Sequence, residues 1–314
     1  MEKTIQLKDF STYRSVLMGA AIIFIMASHT LGGFAAYGII GVEWFLVLSS
    51  IGQYYSLKND SDVKSYYKRR LFRILPAYLI VAIPFFIIKT SSSVSELLIR
   101  ISGFNLIVWG EKYFWFVLLI LLCYLIAPFY FRIINTFKIS FIIPFILAGI
   151  TFILSFNLPK TEILITRVPV FLLGMNFAKY VYEGAVVENN SRINTILLFS
   201  VISVLLLLTI YVDWIGIELV RVVYFICAIP TLFFVLTVAK SVTPIQPPLA
   251  WIGAISYELY LVHQHIALAL CTKLPFPRAI IVICSYVLAL FLADILHILV
   301  SKLISLSKSD INNK

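Results

Sequence analysis

Charged residues are scarce in this chain of 314 residues, and their scarcity excludes an ordinary soluble domain. Asp, Glu, Lys and Arg make up 13% of the sequence, whereas hydrophobic residues make up 61%. A soluble domain usually has about 25% charged residues. The connections between the apolar stretches are also too short to form a soluble domain. The composition therefore predicts an integral membrane protein that forms a single bundle.

Cysteine is rare too, and its spacing does not fit the common metal motifs. The four cysteines fall within or at the ends of apolar stretches, and no pair has the C-x-x-C spacing. They are Cys123, Cys227, Cys271 and Cys284. We interpret them as packing residues, because a buried thiol behaves as a small hydrophobic group. We expect no metal site and no permanently bound cofactor.

Long apolar stretches recur along the whole sequence. A helix of about 20 residues crosses a hydrocarbon core of ~30 Å, and helices satisfy their own backbone polar groups inside a bilayer. The predicted fold class is all-α, a bundle of about ten transmembrane helices over residues 1–306, followed by a short polar tail at 307–314. The predicted spans are 15–33, 39–57, 73–89, 113–132, 139–156, 163–182, 193–212, 218–239, 249–271 and 278–304.

Lysine and arginine predict the orientation of this bundle. With the N-terminus inside the cell, 17 of the 25 basic residues fall on the cytoplasmic side, including the cluster between Lys58 and Arg73. The positive-inside rule therefore favours both termini in the cytoplasm. This bias accounts for the net charge of +10, so we expect the lipid bilayer, and not nucleic acid, as the partner of the basic residues.

Polar residues inside the predicted spans are candidates for function, because an ionisable side chain at the bilayer centre costs about 3 kcal/mol or more. His29 and Glu43 are separated by a Gly-rich turn at 32–38, so we expect the two side chains to meet. A carboxylate beside an imidazole is typical of a general base. The candidates in the predicted outer half are His29, Glu43, Trp115, Arg167, Tyr260 and His263.

Several of these polar positions also have a structural interpretation. Trp115 fits an aromatic belt at the membrane surface. Arg167 and Arg221 lie near the ends of spans, where a long side chain can reach the interface. Asp294 and His297 are three residues apart on one face of the last span, and we expect them to form a structural pair with each other.

Two arginines lead into the third predicted span on the cytoplasmic side. Arg70 and Arg73 are three residues apart, so they share one helical face and can converge on one anion. Guanidinium groups suit bidentate recognition of phosphate, which favours a phosphate-bearing ligand at this position. The alternative is that both arginines only determine topology.

Short motifs occur in order along nearly the whole chain. They are the runs Leu17–His29, Gly41–Ser49, Tyr67–Pro76, Phe114–Phe116, Arg167–Gly174 and Trp251–His263. In their order and their placement on the predicted spans, these runs resemble acyltransferase family 3, whose members are ten-span bacterial membrane proteins. The resemblance implies transfer of an acyl group, with acetyl as the expected group, from cytoplasmic acyl-CoA to a hydroxyl of an extracytoplasmic saccharide or lipid-linked saccharide. It also implies a location in the bacterial cytoplasmic membrane.

The resemblance also implies roles for individual residues. His29 matches the catalytic histidine of the family, and Arg70 and Arg73 match paired arginines that hold acyl-CoA, the co-substrate. The family usually has an arginine eleven positions before the histidine, where this chain has Met18. Arg14 lies four residues earlier on the same helical face, so we predict that it takes part in donor binding.

Glu43 stands where the family commonly has aspartate, and it keeps the carboxylate that would orient His29. Arg167, Tyr260 and His263 are then candidates for stabilising the oxyanion or seating the acceptor, and Trp115 is a candidate for stacking on a saccharide.

Two other classes of function fit the same composition. One is a transporter or flippase, although spans broken at matching positions are not visible. The other is a sensor module without catalysis, which the methionine at position 18 leaves open.

Overall fold

A computed structural model describes residues 4–32, 38–60, 62–90, 93–188, 201 and 217–312. Apart from Val201, the predicted span 193–212 lies outside the described residues. The middle of the predicted Gly-rich turn, residues 33–37, lies outside them as well.

The described residues are mostly helical. The first ten helices are α1 (Asp9–Thr12), α2 (Arg14–Thr30), α3 (Ile40–Asn59), α4 (Val63–Thr90), α5 (Val94–Ile101), α6 (Asn105–Trp109), α7 (Trp115–Thr136), α8 (Ile143–Ser155), α9 (Glu162–Ile165) and α10 (Val168–Glu183). They are followed by α11 (Ile217–Ser241), α12 (Gln246–Ala254), α13 (Ser256–Val262), α14 (Ala269–Cys271) and α15 (Arg278–Asn312). Short 3-10 turns precede α8 and α12, and a π turn, His263–Leu268, joins α13 to α14.

Six helical stretches among the described residues are long and apolar enough to cross a membrane, and each overlaps a predicted span. They are Val63–Lys89, Trp115–Thr136, Lys138–Ser155, Glu162–Glu183, Val220–Ser241 and Arg278–Leu306. The first two predicted spans correspond to α2 and α3. A helical, multi-pass membrane fold is therefore confirmed, whereas the number ten and the orientation stay predictions. One small antiparallel sheet, β1 (Thr4–Gln6) with β2 (Val186–Glu188), was not predicted.

The helix boundaries differ in places from the predicted spans. Helix α4 begins at Val63 and not near residue 73, and α15 continues to Asn312, into the predicted tail. Apolar length locates the part of a helix that can lie in lipid, whereas a helix can continue beyond that part through polar residues that face water. The predicted span 249–271 is divided among α12, α13, the π turn and α14.

The chain forms two compact units. The first comprises Met1–Val63 and Leu119–Gly253, and the second comprises Lys64–Leu118 and Ala254–Lys314. In the first unit α3 is central, since 15 of its 20 residues are buried and it packs against α2, α10 and α11. In the second unit, α13 and the π turn pack against α15.

Candidate active site

The register of α2 against α3 locates His29 relative to Glu43. The two helices run antiparallel, because Gly38 lies against Ser28 and Gly41 lies against Ala21. His29 follows Ser28 and is exposed near the end of α2. Glu43 is five residues beyond Gly38, and His29 is one residue beyond Ser28 in the opposite direction. The two residues are therefore separated by six residues of helix rise, or about 9 Å along the axis.

Side-chain direction narrows this axial gap. Each Cα–Cβ bond of a helix leans toward the N-terminus of that helix. In an antiparallel pair, His29 and Glu43 therefore lean toward each other's level. The register is compatible with the expected meeting of the two side chains, and their direct contact stays a prediction.

The Glu43 carboxylate forms a buried ion pair with Arg167. Arg167 Nε lies 3.2 Å from Glu43 Oε1, and the two side chains are 2% and 1% exposed. Arg167 precedes α10, and its Nη1 also donates to the carbonyl of Ile163 at 2.9 Å. Among the described residues, Glu43 Oε2 has no hydrogen-bond partner. One carboxylate oxygen can therefore still accept a hydrogen bond from an imidazole or from a ligand hydroxyl.

A second buried ion pair lies near the first. Arg221 Nε donates to Glu162 Oε1 at 2.7 Å, and both side chains are buried. The four charges of Glu43, Arg167, Glu162 and Arg221 are close enough to interact electrostatically. Because both arginines are buried and paired, the interpretation that they reach out to the membrane interface was wrong. The sequence did not indicate Glu162 as a site residue, because it follows the polar segment around Lys160 and is therefore typical of a loop.

Arg14 connects α2 to α3 within the first unit. Its Nε donates to the carbonyl of Leu48 at 2.9 Å. Gly52 makes room for this contact, because a Cβ at that position would lie 2.8 Å from Arg14 Nη2. The contact gives Arg14 a structural role, and its part in donor binding stays a prediction.

Three of the predicted acceptor-side residues belong to the second unit. Trp115 begins α7, Tyr260 lies in α13, and His263 begins the π turn. The Tyr260 hydroxyl accepts a hydrogen bond from the backbone N–H of Phe116 at 3.1 Å, one residue after Trp115. The buried His263 has Nδ1 3.0 Å from the carbonyls of both Leu259 and Tyr260. A carbonyl only accepts, so Nδ1 carries the proton, and neutral His263 presents Nε2 as an acceptor.

The paired arginines of α4 belong to the second unit and have different neighbours. The Arg70 guanidinium lies 5.5 Å from the ring centroid of Tyr66. Arg73 Nη1 lies 3.7 Å from Glu258 Oε1, and Arg73 Nη2 donates to the carbonyl of Ala254 at 3.4 Å. Both arginines lie on α4 three residues apart, so they share one helical face, and Arg73 is paired with the carboxylate of Glu258.

His297 pairs with Glu258. Its Nδ1 lies 3.1 Å from Glu258 Oε1, whereas the described residues show no hydrogen bond or ion pair between His297 and Asp294. The prediction of an Asp294–His297 pair was therefore wrong. Spacing puts these two residues on one face of α15, but the packing of α13 against α15 brings a completely buried carboxylate to His297.

The described residues contain no group of three or more His, Cys, Asp or Glu side chains that could hold a metal ion. The four cysteines are free thiols, and three of them are buried.

Comparison with family models gives one match that covers most of the chain. Residues 16–298 match the model of the acyltransferase domain of acyltransferase family 3. The matched region includes the candidate residues from His29 to His263, while Arg14 precedes it. Searches of curated proteins and of solved structures gave no match.

Proposed function

Because this chain belongs to acyltransferase family 3, we propose that it transfers an acetyl group from cytoplasmic acyl-CoA to a hydroxyl of an extracytoplasmic saccharide or lipid-linked saccharide. The family assigns a membrane acyltransferase in general. The donor, the acyl group, the acceptor and the location in the bacterial cytoplasmic membrane are our proposals. The observation that carries them is the continuous family match, which contains both the His29–Glu43 region and the paired arginines of α4.

In the proposed reaction, His29 acts as the general base. It takes the proton of the acceptor hydroxyl as the hydroxyl oxygen attacks the thioester carbonyl. The bond between the carbonyl carbon and sulfur then breaks, and the protonated imidazole returns the proton to the leaving thiolate, giving an ester and free CoA. Glu43 orients the imidazole and stabilises its charged form.

The ion pair within the first unit supports this role of Glu43. Arg167 fixes one carboxylate oxygen and leaves Oε2 as an acceptor. Because Arg167 forms an ion pair with Glu43, we assign it the role of holding the carboxylate and not that of binding the oxyanion. Tyr260, His263 and Trp115 stay candidates for seating the acceptor.

We expect Arg70→Ala and Arg73→Ala each to weaken CoA binding by about 1.5–3 kcal/mol, because each removes a charge-assisted hydrogen bond to phosphate. Lysine at either position should restore only part of the affinity, since it lacks the planar fork. Isothermal titration calorimetry with CoA and the purified protein measures this effect. Arg69→Ala is the matched control, because Arg69 donates to Ser65 on its own helix. Unchanged affinity in both test variants would mean that the two arginines only determine topology.

We expect the Gly-rich turn and the loop before α4 to lie on opposite sides of the membrane. Ala35→Cys should react with an impermeant maleimide in intact cells, and Asp60→Cys should react only after the membrane is opened. Both changes are made after replacement of the four native cysteines. The expectation follows from the bias of lysine and arginine. The reverse labelling pattern would place His29 on the cytoplasmic side and exclude transfer to an extracytoplasmic acceptor.

A further inference from the structure

Glu258 lies at the centre of a chain of contacts that the proposed reaction does not use. Its side chain is completely buried. Its Oε1 is approached from one side by His297 Nδ1 at 3.1 Å and from another by Arg73 Nη1 at 3.7 Å. Among the described residues, Oε2 has no hydrogen-bond partner. All three residues belong to the second unit.

These contacts satisfy the carboxylate only in part. One oxygen accepts one hydrogen bond, and 3.7 Å is too long for Arg73 to donate a second. A buried carboxylate with so few partners is expensive in a membrane protein. Its stability contribution therefore does not account for its presence, and its effect on the neighbouring arginine is the better explanation.

A buried carboxylate next to Arg73 restricts the orientations of the arginine side chain. The Arg73 side chain is 44% exposed, and a long basic side chain near the end of a span otherwise moves freely toward the interface. The charge of Glu258 and the carbonyl of Ala254 both attract its guanidinium inward. A guanidinium has five N–H donors, so most of them stay available to an anion.

We propose that Glu258 is a positioning residue that holds Arg73 in the orientation that receives a phosphate of the acyl-CoA donor, and that His297 in turn fixes Glu258. The inference rests on the proposed function, because it takes the donor site at Arg70 and Arg73 as given. Glu258 touches no substrate in this proposal. It acts by reducing the rotamer freedom that Arg73 loses when the donor binds.

The first test is the variant Glu258→Gln, which keeps the side-chain size and an acceptor for His297 but removes the charge. We expect the KM for acyl-CoA to rise about two- to tenfold, the effect of ordering one flexible side chain, with kcat unchanged. Asp294→Asn is the matched control, since it makes the same chemical change on α15 and should leave KM unchanged. Tighter donor binding in Glu258→Gln would overturn the inference, because it would show that the carboxylate mainly repels the phosphates.

The second test is a double-mutant cycle with Arg73→Ala. If Glu258 acts through Arg73, Glu258→Gln should have no further effect on CoA affinity in the Arg73→Ala background. An equal loss in both backgrounds would overturn the inference. The cycle also separates the two proposals. If Arg73→Ala alone leaves the CoA affinity unchanged, the donor site at Arg73 is refuted. If Arg73→Ala weakens CoA binding but Glu258→Gln leaves it unchanged, only the positioning role of Glu258 is refuted.

Folding of each variant is checked by gel filtration of the purified protein. If Glu258→Gln does not give a folded protein, His297→Gln replaces it, because it alters the half-exposed end of the same chain of contacts. The KM for acyl-CoA should then rise in the same direction by a smaller factor. An unchanged KM in His297→Gln would overturn the inference in that case.

Discussion

Replacing His29 with alanine is expected to reduce acyl transfer by about 10²–10⁴-fold, the usual contribution of a general base, while the protein stays folded. His29 is exposed near the end of α2, so its removal leaves no buried cavity. The measurement is mass spectrometry of surface glycans from cells that express only the variant. We expect one acyl substituent, present with the wild-type chain, to be lost.

Ser28→Ala is the matched control for the His29 variant. Its hydroxyl donates to Ile25 within the same helix, so glycan acylation should persist. Full acylation with His29→Ala at a normal expression level would refute the catalytic assignment. If deletion of the whole chain leaves every acyl group in place but stops export of the glycan, the transporter or flippase becomes the better interpretation.

Replacing Arg167 with alanine is expected to lower the free energy of unfolding by about 3–5 kcal/mol. This change leaves Glu43 as an uncompensated charge in a buried position, which is the costly way to break an ion pair. The measurement is thermal unfolding of the purified protein in detergent, and the melting temperature should fall clearly. Activity should fall as well, since Glu43 loses the partner that fixes one of its oxygens.

Two further variants separate the Arg167 effect from a general sensitivity to arginine removal. Arg132→Ala removes an exposed arginine from the same unit and should change stability by no more than about 0.5 kcal/mol. Adding Glu43→Gln to Arg167→Ala should recover part of the lost stability, because no unpaired charge remains. An unchanged melting temperature in Arg167→Ala would show that the Glu43 carboxylate is not charged in the folded protein.

The sequence was sufficient for the features that depend on local composition. Apolar runs of sufficient length predicted the six described helical stretches that are long and apolar enough to cross a membrane, because the cost of placing polar groups in lipid selects such runs directly. The order of short motifs was sufficient to identify the family, which the match over residues 16–298 confirmed. The spacing of Arg70 and Arg73 correctly placed them on one helical face.

Pairing between distant residues was decided only by the tertiary structure. Spacing along α15 favoured Asp294 for His297, but the packing of α13 brought Glu258 to it. In the same way, Arg221 pairs with Glu162, which is 59 positions away in the sequence, and Arg167 pairs with Glu43. A buried charge pairs with the opposite charge that helix packing places next to it. A single sequence does not specify which helix faces pack together. The sequence by itself thus determined which described helices are long and apolar enough to cross a membrane, whereas helix packing determined which buried charges pair with each other.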